Sequence, residues 1–250
     1  MEGCSGGGNV IRCVLFDLDG TLVHFDYDDF LKEYFKAITI SVAPRIKAVR
    51  FTEALSRSVE AMIENEDPSL SNRQVFFEDF VKRVNTPEDI LLPMFEDFYA
   101  NEFTKLKDVL AIEPHPKARA MMEVLFKEGY DVVIATNALF PAMAILERMR
   151  WGGVYGFPYR LITCYETMHF CKPNLKYYEE ILRITGYQPE DCLMVGNNMD
   201  EDIVAGALGI KTYLVDDYLL DSGMTHCTPD LRSDFSGFVE FVLSNGIQKL

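Results

Sequence analysis

Two aspartates separated by one residue follow an apolar run near the start of this 250-residue chain. Residues 11–22 read IRCVLFDLDGTL, a β-rich stretch that ends in Asp17 and Asp19 and continues into a Gly-Thr turn. Two carboxylates placed two positions apart on an extended backbone point the same way, and their repulsion raises the cost of ionising both. A divalent cation between them would relieve that repulsion; the alternative is a turn with aspartate as a local cap.

Two further polar positions follow in the second half of the chain. Thr136 and Asn137 end the apolar run IATN, where a hydroxyl and an amide before a helix form either an anion site or an ordinary helix cap. Lys172 precedes a proline, which favours extended backbone and a helix that starts afterwards. Its ammonium is therefore expected to point toward the strand ends as a fixed charge, unless it is a solvated surface lysine.

The fourth polar cluster lies in residues 193–212, LMVGNNMDEDIVAGALGIKT. A strand-like run ends in asparagines and continues into Asp200, Glu201 and Asp202, interpreted as the first turn of a helix. The helix dipole favours acids there by about 0.3–1 kcal/mol each, so a solvated helix start is one interpretation and the wall of a metal site is the other. Asn197 stands where a metal site would more usefully place a carboxylate.

The elements that position these clusters alternate along the second half of the chain. Alternation of short strands with helices predicts parallel βαβ units, hence a doubly wound parallel sheet of the α/β class with helices on both faces. Ligands bind such sheets at the carboxyl ends of the strands, where all four clusters lie. Strands are predicted at 131–136, 160–164, 192–196 and 211–215, and helices at 116–128, 139–150, 174–185, 201–208 and 235–243.

A block of helical periodicity separates the first strand from this series. Between about Tyr27 and Leu110 strand-like runs disappear, and helices are predicted over the segment YDDFLKEYFKAITISV and at 45–65, 73–84 and 87–104. The predicted organisation is thus an α/β core formed by 9–24 and 113–250, an all-α domain at 25–112, and a flexible glycine-rich tail at 1–8.

Composition excludes several classes of partner. With 39 acidic and 24 basic residues the net charge is −15, which disfavours binding to nucleic acid and to anionic membranes. No apolar stretch approaches the roughly 18 residues of a membrane span, and the N-terminus lacks the pattern of a secretory signal. Cys13, Cys164 and Cys192 lie in or beside apolar runs and are expected to be buried thiols of a cytoplasmic protein.

The order and spacing of the four clusters closely resemble the motifs of the haloacid dehalogenase-like hydrolase superfamily, over nearly the whole chain. FDLDGTL is the most specific element of this resemblance. The resemblance implies that Asp17 is a nucleophile that becomes an aspartyl phosphate and that Asp19 is a general acid and then a base. It also implies that Thr136 and its neighbouring amides hold phosphoryl oxygens, while Lys172 neutralises charge at the nucleophile and the phosphate.

The resemblance further implies a Mg²⁺ site. Its ligands would be the Asp17 carboxylate, the Asp19 backbone carbonyl, Asn197 and Asp202, with Glu201 competing for the last position. The family usually has aspartate in place of Asn197, and the lost charge is expected to weaken Mg²⁺ binding by about tenfold to a hundredfold.

The functional expectation is a Mg²⁺-dependent phosphatase acting on a small phosphomonoester. Relatives that are dehalogenases or phosphonatases lack an aspartate two residues after the nucleophile, so Asp19 points to phosphoryl transfer. The helical block resembles the family's helical cap, and Thr21, Asn137 and His169 are candidate substrate contacts. The alternatives are a phosphomutase of the same superfamily or a low-activity protein that keeps the fold and binds a phosphorylated metabolite. The oligomeric state stays open.

Overall fold

A computed structural model describes residues 10–250, so the glycine-rich segment predicted as a tail lies outside the described residues. Over the described range, six strands form one parallel sheet with the order β3-β2-β1-β4-β5-β6. This confirms the predicted doubly wound α/β class, with a switch point between β1 and β4. The strands are β1 (Cys13–Phe16), β2 (Asp131–Ile134), β3 (Leu161–Ile162), β4 (Cys192–Gly196), β5 (Lys211–Val215) and β6 (Leu231–Ser233).

The central strand β1 sets the level of the candidate site. All four of its residues are buried, as expected for a parallel strand covered on both faces. Phe16 pairs with Ile134 on β2 and with Val195 on β4, so these three strands end at nearly the same height. The polar residues that follow each strand therefore converge at one edge of the sheet.

The helical block between β1 and β2 is confirmed, and we call it the helical insertion. Helix α1 begins after Asp26, whose carboxylate accepts a hydrogen bond from the Asp29 amide, and α3 begins with a capping box of Ser71 and Gln74. The predicted helix 87–104 is divided: after α4 the chain forms a π-helical turn (Phe98–Glu102) and a 3₁₀ turn (Phe103–Lys105). The helices are α1 (Tyr27–Val42), α2 (Ala48–Ile63), α3 (Asn72–Val84), α4 (Glu88–Asp97) and α5 (Leu106–Val109).

The remaining helices follow the predicted alternation with one correction. The predicted helix 201–208 is instead a 3₁₀ helix over Ile203–Leu208 that ends at left-handed Gly209, and the acidic triplet lies in the turns before it. Strand β6 was missed, because three half-exposed residues inside a polar loop carry no strand periodicity. The α-helices of this part are α6 (Ala118–Lys127), α7 (Ala142–Trp151), α8 (Leu175–Thr185) and α9 (Phe235–Leu243).

Apolar side chains pack on both faces of the sheet. On one face Phe16 and its neighbours join a core that continues into the helical insertion, and on the other Leu15 packs with Met194 and Tyr177. The buried Asn72 amide ties α3 to the core, because its Nδ2 donates to the carbonyls of Ala138 and Phe170 at 3.2 Å each. The insertion is therefore held against the sheet edge where the polar clusters lie.

Two expectations from composition can be compared with the described residues. Cys13, Cys164 and Cys192 are buried free thiols, as predicted. Among residues 10–250, no helix combines the length and the apolar character that crossing a membrane requires.

Candidate active site

Lys172 lies at the centre of a buried charge cluster at the carboxyl ends of β1 and β4. Its side chain is fully buried, and its Nζ donates to Asp17 Oδ1 at 2.9 Å and to Asp202 Oδ1 at 2.6 Å. Burial by itself would lower the pKa of Lys172, but the carboxylates of Asp17 and Asp202 raise it well above its usual value. Lys172 therefore stays protonated, and one ammonium compensates two carboxylates.

Asn137 fixes the segment that carries Lys172. Its Oδ1 accepts from the Lys172 backbone amide at 3.2 Å, and its Nδ2 donates to the Lys172 carbonyl at 3.3 Å and to Glu201 Oε2 at 3.1 Å. Asp17 is fixed from the other side, because its amide donates to the Val195 carbonyl at 2.9 Å. These bonds hold the nucleophile candidate and its counter-charge on backbone that the sheet makes rigid.

Asp202 lies behind the site, where both of its carboxylate oxygens are engaged. Oδ1 accepts from Lys172 and Oδ2 accepts from the Asn198 amide at 2.9 Å, and the side chain is fully buried. Burial raises the pKa of this carboxyl, an effect that Lys172 opposes. A Cβ added to Gly196 would lie 2.1 Å from Asp202 Oδ2, so the glycine at the end of β4 is what allows the carboxylate to reach Lys172.

Asp19 forms a second buried ion pair, with an arginine that sequence analysis missed. Arg148 on α7 is fully buried, donates through Nη1 to Asp19 Oδ2, and lies over the Phe140 ring at 4.4 Å from its centroid. Burial raises the pKa of Asp19 to about 6, although Arg148 acts in the opposite direction. Asp19 Oδ1 and Arg148 Nη2 are buried without a hydrogen-bond partner among the described residues.

A small cavity of about 70 Å³ opens at these strand ends. The structure brings five predicted site residues together along it: Asp17, Asp19, Thr136, Asn137 and Asn197. Glu201, which the sequence left as a competitor of Asp202, also lines this cavity, whereas Asp202 does not. Burial raises the pKa of Glu201 as well. The remaining lining residues are Tyr27, Leu139, Phe140, Asn198 and Leu220.

Two predicted substrate contacts lie elsewhere. Thr21 is fully buried behind the cavity wall, where its hydroxyl donates to Asn197 Oδ1 at 3.2 Å. His169 lies in a separate surface depression, with its Nδ1 at 2.6 Å from Glu180 Oε1. The structure thus gives Thr21 a supporting position and places His169 away from Asp17.

The oxygen atoms along the cavity suit a hard cation such as Mg²⁺. One oxygen of Asp17 is engaged by Lys172, which leaves its second carboxylate oxygen. Asn197 Nδ2 donates to the Tyr218 carbonyl at 2.5 Å and its Oδ1 accepts from the Thr21 hydroxyl at 3.2 Å, which orients the amide and leaves one further lone pair on Oδ1. No group of three Asp, Glu, His or Cys side chains within residues 10–250 is arranged as a metal site. A cation here would need carboxamide and backbone oxygens in addition to the carboxylates of Asp17 and Glu201, and the buried, unpartnered Asp19 Oδ1 adds acceptor capacity beside them.

The sequence did contain a weak signal for Arg148. In α7 it falls on the same face as the buried residues Ala144, Ile145 and Met149, at the spacing of an apolar stripe. A charged residue on the buried face of a helix needs a partner, so this position indicates a buried ion pair. Arg150 lies on the exposed side of α7 and does not share the spacing of the buried residues.

Comparison with known proteins agrees with this geometry. A family model described as haloacid dehalogenase-like hydrolase matches residues 11–209. The chain is 27% identical to a glyceraldehyde 3-phosphate phosphatase of Methanothermobacter thermautotrophicus, over 87% of this chain and 91% of that protein. It is 26% identical to a phosphoglycolate phosphatase of Aquifex aeolicus, over 82% of this chain and 84% of that protein.

Solved structures show the same fold at low sequence identity. A haloacid dehalogenase-type phosphatase from Thermococcus onnurineus matches with a TM-score of 0.58 and 14% identity, covering 95% of this chain and 100% of that one. An L-2-haloacid dehalogenase from Xanthobacter autotrophicus matches with a TM-score of 0.54 and 14% identity, covering 94% and 99%. The motifs, the sheet order and the family match agree, and the chain belongs to the haloacid dehalogenase-like hydrolases, with phosphatases as its curated relatives.

Proposed function

We propose that this hydrolase is a Mg²⁺-dependent phosphatase that acts on a small phosphomonoester through an aspartyl phosphate on Asp17. The observation that carries the proposal is the pairing of Asp17, which lines a cavity at the sheet edge, with the fully buried Lys172. The names of the curated relatives support phosphoester hydrolysis. The buried free thiols are compatible with a cytoplasmic protein that acts on a metabolite.

In the first half-reaction a carboxylate oxygen of Asp17 attacks phosphorus and the P–O bond to the alcohol breaks. Asp19, in its protonated form, gives its proton to the departing alkoxide. The product alcohol leaves, and the phosphoryl group remains on Asp17. Both aspartates line the same cavity, which is the geometric requirement for this pair of roles.

In the second half-reaction a water molecule attacks phosphorus on the aspartyl phosphate. Asp19 takes the proton of that water, the bond between phosphorus and the Asp17 oxygen breaks, and inorganic phosphate leaves. Asp17 is again a carboxylate and Asp19 is again protonated. The cycle therefore closes without any other reactant.

Lys172 and Thr136 assist by charge and by position. The ammonium of Lys172, 2.9 Å from Asp17 Oδ1, reduces the repulsion between the attacking carboxylate and the phosphoryl oxygens. Thr136 lines the cavity just after β2, and its hydroxyl is the group that we assign to a phosphoryl oxygen. Asn137 holds the Lys172 backbone and Glu201, so it is a positioning residue in this proposal.

Bound Mg²⁺ supplies screening of the phosphoryl charge and fixes the orientation of the ester. The Asp17 carboxylate, the Asp19 backbone carbonyl and Asn197 Oδ1 would hold it. Of the two acids that the sequence left open, we favour Glu201 as the further carboxylate on the cavity wall, because both Asp202 oxygens are engaged by Lys172 and the Asn198 amide.

We further propose that residues 25–112 act as a cap over a core formed by 10–24 and 113–250. Tyr27 at the start of α1 lines the same cavity as Asp17, so the insertion contributes directly to its wall. A cap in this position excludes bulk water from the aspartyl phosphate and adds contacts to the alcohol.

The test is phosphate release from p-nitrophenyl phosphate with and without Mg²⁺. The wild-type protein is expected to release inorganic phosphate only with Mg²⁺, and Asp17→Asn is expected to abolish release, because an amide does not attack phosphorus. Asp28→Asn on the exposed surface of α1 is the matched control and is expected to retain activity. The same activity in both variants, or no turnover of any phosphoester at millimolar Mg²⁺, would contradict the proposal. Transfer of phosphate to another position of a sugar without net release would identify a mutase instead.

A further inference from the structure

The small cavity at Asp17 adjoins a larger one of about 340 Å³. Four residues line both: Tyr27, Leu139, Phe140 and Glu201. The larger cavity extends from this junction into the helical insertion, between α1, α2 and α3 and the end of α4. A phosphoester whose phosphoryl group lies at Asp17 therefore directs its alcohol part toward the larger cavity.

The walls of the larger cavity are mainly apolar; their polar groups, besides Glu201, are Ser56 and the hydroxyls of Tyr27, Tyr34, Tyr99 and Tyr165. Phenylalanines and aliphatic side chains from four helices line it, and the only charged residue along it in the described part of the chain is Glu201 at the junction. The hydroxyls of Tyr34 and Tyr99 bind each other at 2.9 Å, so this polar pair is already satisfied. Representative wall residues are Leu31, Phe35, Leu55, Val59, Phe76 and Phe95.

No cationic side chain is available for a second anionic group of a substrate. Among residues 10–250, no lysine, arginine or histidine lines either cavity. Of the two buried cations nearby, Lys172 binds two carboxylates and Arg148 binds Asp19. Arg148 Nη2 has no partner among the described residues, but Arg148 lines neither cavity. A carboxylate carried into the larger cavity would lose its hydration without gaining a counter-charge, which is costly.

We propose that the substrate is a phosphomonoester of a hydrophobic alcohol, aryl or alkyl, with no second anionic group. This inference rests on the proposed phosphatase function and assigns the class of its substrate. A cavity of about 150 Å³ accepts benzene, so the larger cavity has room for about two rings or a comparable alkyl chain. Val59 is partly exposed and Ile63 is exposed on α2, so the far end opens toward solvent and a longer chain can continue outward.

A matched series of unactivated alkyl phosphates tests this substrate class. The values of kcat/KM are measured for methyl, butyl and hexyl phosphate and for 5-carboxypentyl phosphate, which differs from hexyl phosphate by its terminal carboxylate. From methyl to hexyl phosphate kcat/KM is expected to rise by about fourfold per methylene until the cavity is filled. For 5-carboxypentyl phosphate, kcat/KM is expected to be lower than for hexyl phosphate by about tenfold or more.

The outcomes separate this inference from the proposed function. The hydrophobic assignment is overturned if methyl phosphate is hydrolysed and kcat/KM does not rise along the series. It is also overturned if 5-carboxypentyl phosphate and hexyl phosphate have equal kcat/KM. Either result leaves the proposed phosphatase function standing. No turnover of any ester in the series, nor of p-nitrophenyl phosphate, with Mg²⁺ overturns the function and with it the inference.

Two valines on α2 provide a matched pair of variants. Val59→Glu places a charge on the cavity wall and is expected to lower the hexyl-to-methyl ratio of kcat/KM by about tenfold. Val49→Glu makes the same change at a side chain that is 79% exposed and lies away from the cavity, and it is expected to keep the wild-type ratio. Equal ratios in the two variants overturn the assignment.

A measurement on the wild-type protein keeps the inference testable if Val59→Glu does not fold. 1-Hexanol is expected to inhibit hydrolysis competitively by occupying the larger cavity. Hexanoate at the same concentration is not expected to inhibit, because its carboxylate finds no counter-charge there. Inhibition by hexanoate equal to that by 1-hexanol, or the absence of inhibition by 1-hexanol up to its solubility, overturns the inference.

Discussion

The two cavities that meet at Tyr27 and Phe140 have opposite chemistry. The smaller is lined by carboxylates and amides that follow rigid parallel strands, whereas the larger is lined by aromatic and aliphatic side chains from the helical insertion. At the first, two fully buried cations pair with three carboxylates, Lys172 with Asp17 and Asp202 and Arg148 with Asp19. The proposed chemistry and the proposed recognition of the alcohol therefore depend on different parts of the chain and on different forces.

This difference gives the two regions different sensitivities to substitution. Removing one member of a buried ion pair leaves an uncompensated charge, which costs about 3–5 kcal/mol and also disturbs the groups to which we assign the chemistry. An apolar cavity responds instead to changes of shape or polarity along its wall, which alter the preference for one alcohol over another. The following substitutions test this contrast.

The largest effect is expected from Lys172→Met. Loss of the ammonium leaves Asp17 and Asp202 without their shared partner, so kcat/KM is expected to fall by about 10²–10³-fold and the free energy of unfolding by about 3–5 kcal/mol. Steady-state kinetics and urea unfolding measure the two effects. Lys176→Met, at a side chain that is 46% exposed and pairs with Glu66, is the control. Equal behaviour of the two variants would show that the buried cluster has no special role.

Arg148→Met is expected to have the next largest effect. Asp19 loses its ion pair and its fixed orientation, so kcat is expected to fall by about tenfold to a hundredfold and the free energy of unfolding by about 3 kcal/mol. Arg150→Met is the control, because Arg150 lies two positions further along α7 and its side chain is 47% exposed. This substitution is expected to change the free energy of unfolding by less than about 1 kcal/mol. Normal kcat in Arg148→Met would mean that Asp19 needs no positioning by this arginine.

Asn197→Asp tests the metal affinity of the polar cavity. The added negative charge is expected to lower the Mg²⁺ concentration for half-maximal activity by about tenfold, which a Mg²⁺ titration measures. Asn198→Asp adds the same charge to the same cavity wall and is the control. The Asn198 side-chain oxygen accepts from two amides, those of Asp200 and Glu201, whereas Asn197 Oδ1 accepts only from Thr21, so a smaller shift is expected in Asn198→Asp. An unchanged titration in Asn197→Asp, or an equal shift in both variants, would contradict a ligand role for Asn197.

The smallest effect is expected for an ion pair on the surface of the insertion. Arg57 Nη1 lies 2.8 Å from Glu60 Oε2, and the two side chains are 58% and 54% exposed. Arg57→Ala is expected to lower the free energy of unfolding by less than about 0.5 kcal/mol and to leave kcat/KM unchanged, because solvent screens the pair. A loss comparable to that of Arg148→Met in urea unfolding would show that burial does not explain the contrast.

Much of this architecture could be predicted from the chain itself. Alternation of strands and helices predicts a parallel sheet, and the strand-end positions of Asp17, Thr136 and Asn197 predict that they converge, because parallel strands end at one edge. The structure confirms the sheet and brings these residues to one cavity. The tendency toward helix between residues 27 and 110 was equally clear, since its periodicity is local.

Other features could not be predicted because they depend on packing between distant segments. Whether Glu201 or Asp202 lines the cavity is decided by a turn followed by a 3₁₀ helix, where a shift of one residue changes the direction of a side chain. Arg148 meets Asp19 only because the fold brings α7 to the turn that follows β1, and His169 lies in a separate depression beside Glu180.

The sequence by itself determined the type of chemistry that the strand ends can support, because residue type and local periodicity place carboxylates, an amide, a hydroxyl and a lysine after predicted strands. Tertiary structure alone decided which acids line the smaller cavity, which carboxylates the buried cations bind, and that a mainly apolar cavity adjoins it and extends into the insertion. The physical reason is the distance along the chain between the residues that interact. Hydrogen-bonded elements form from neighbours in the chain, whereas a cavity and its charge balance arise from side chains that are brought together only by the packing of helices and sheet.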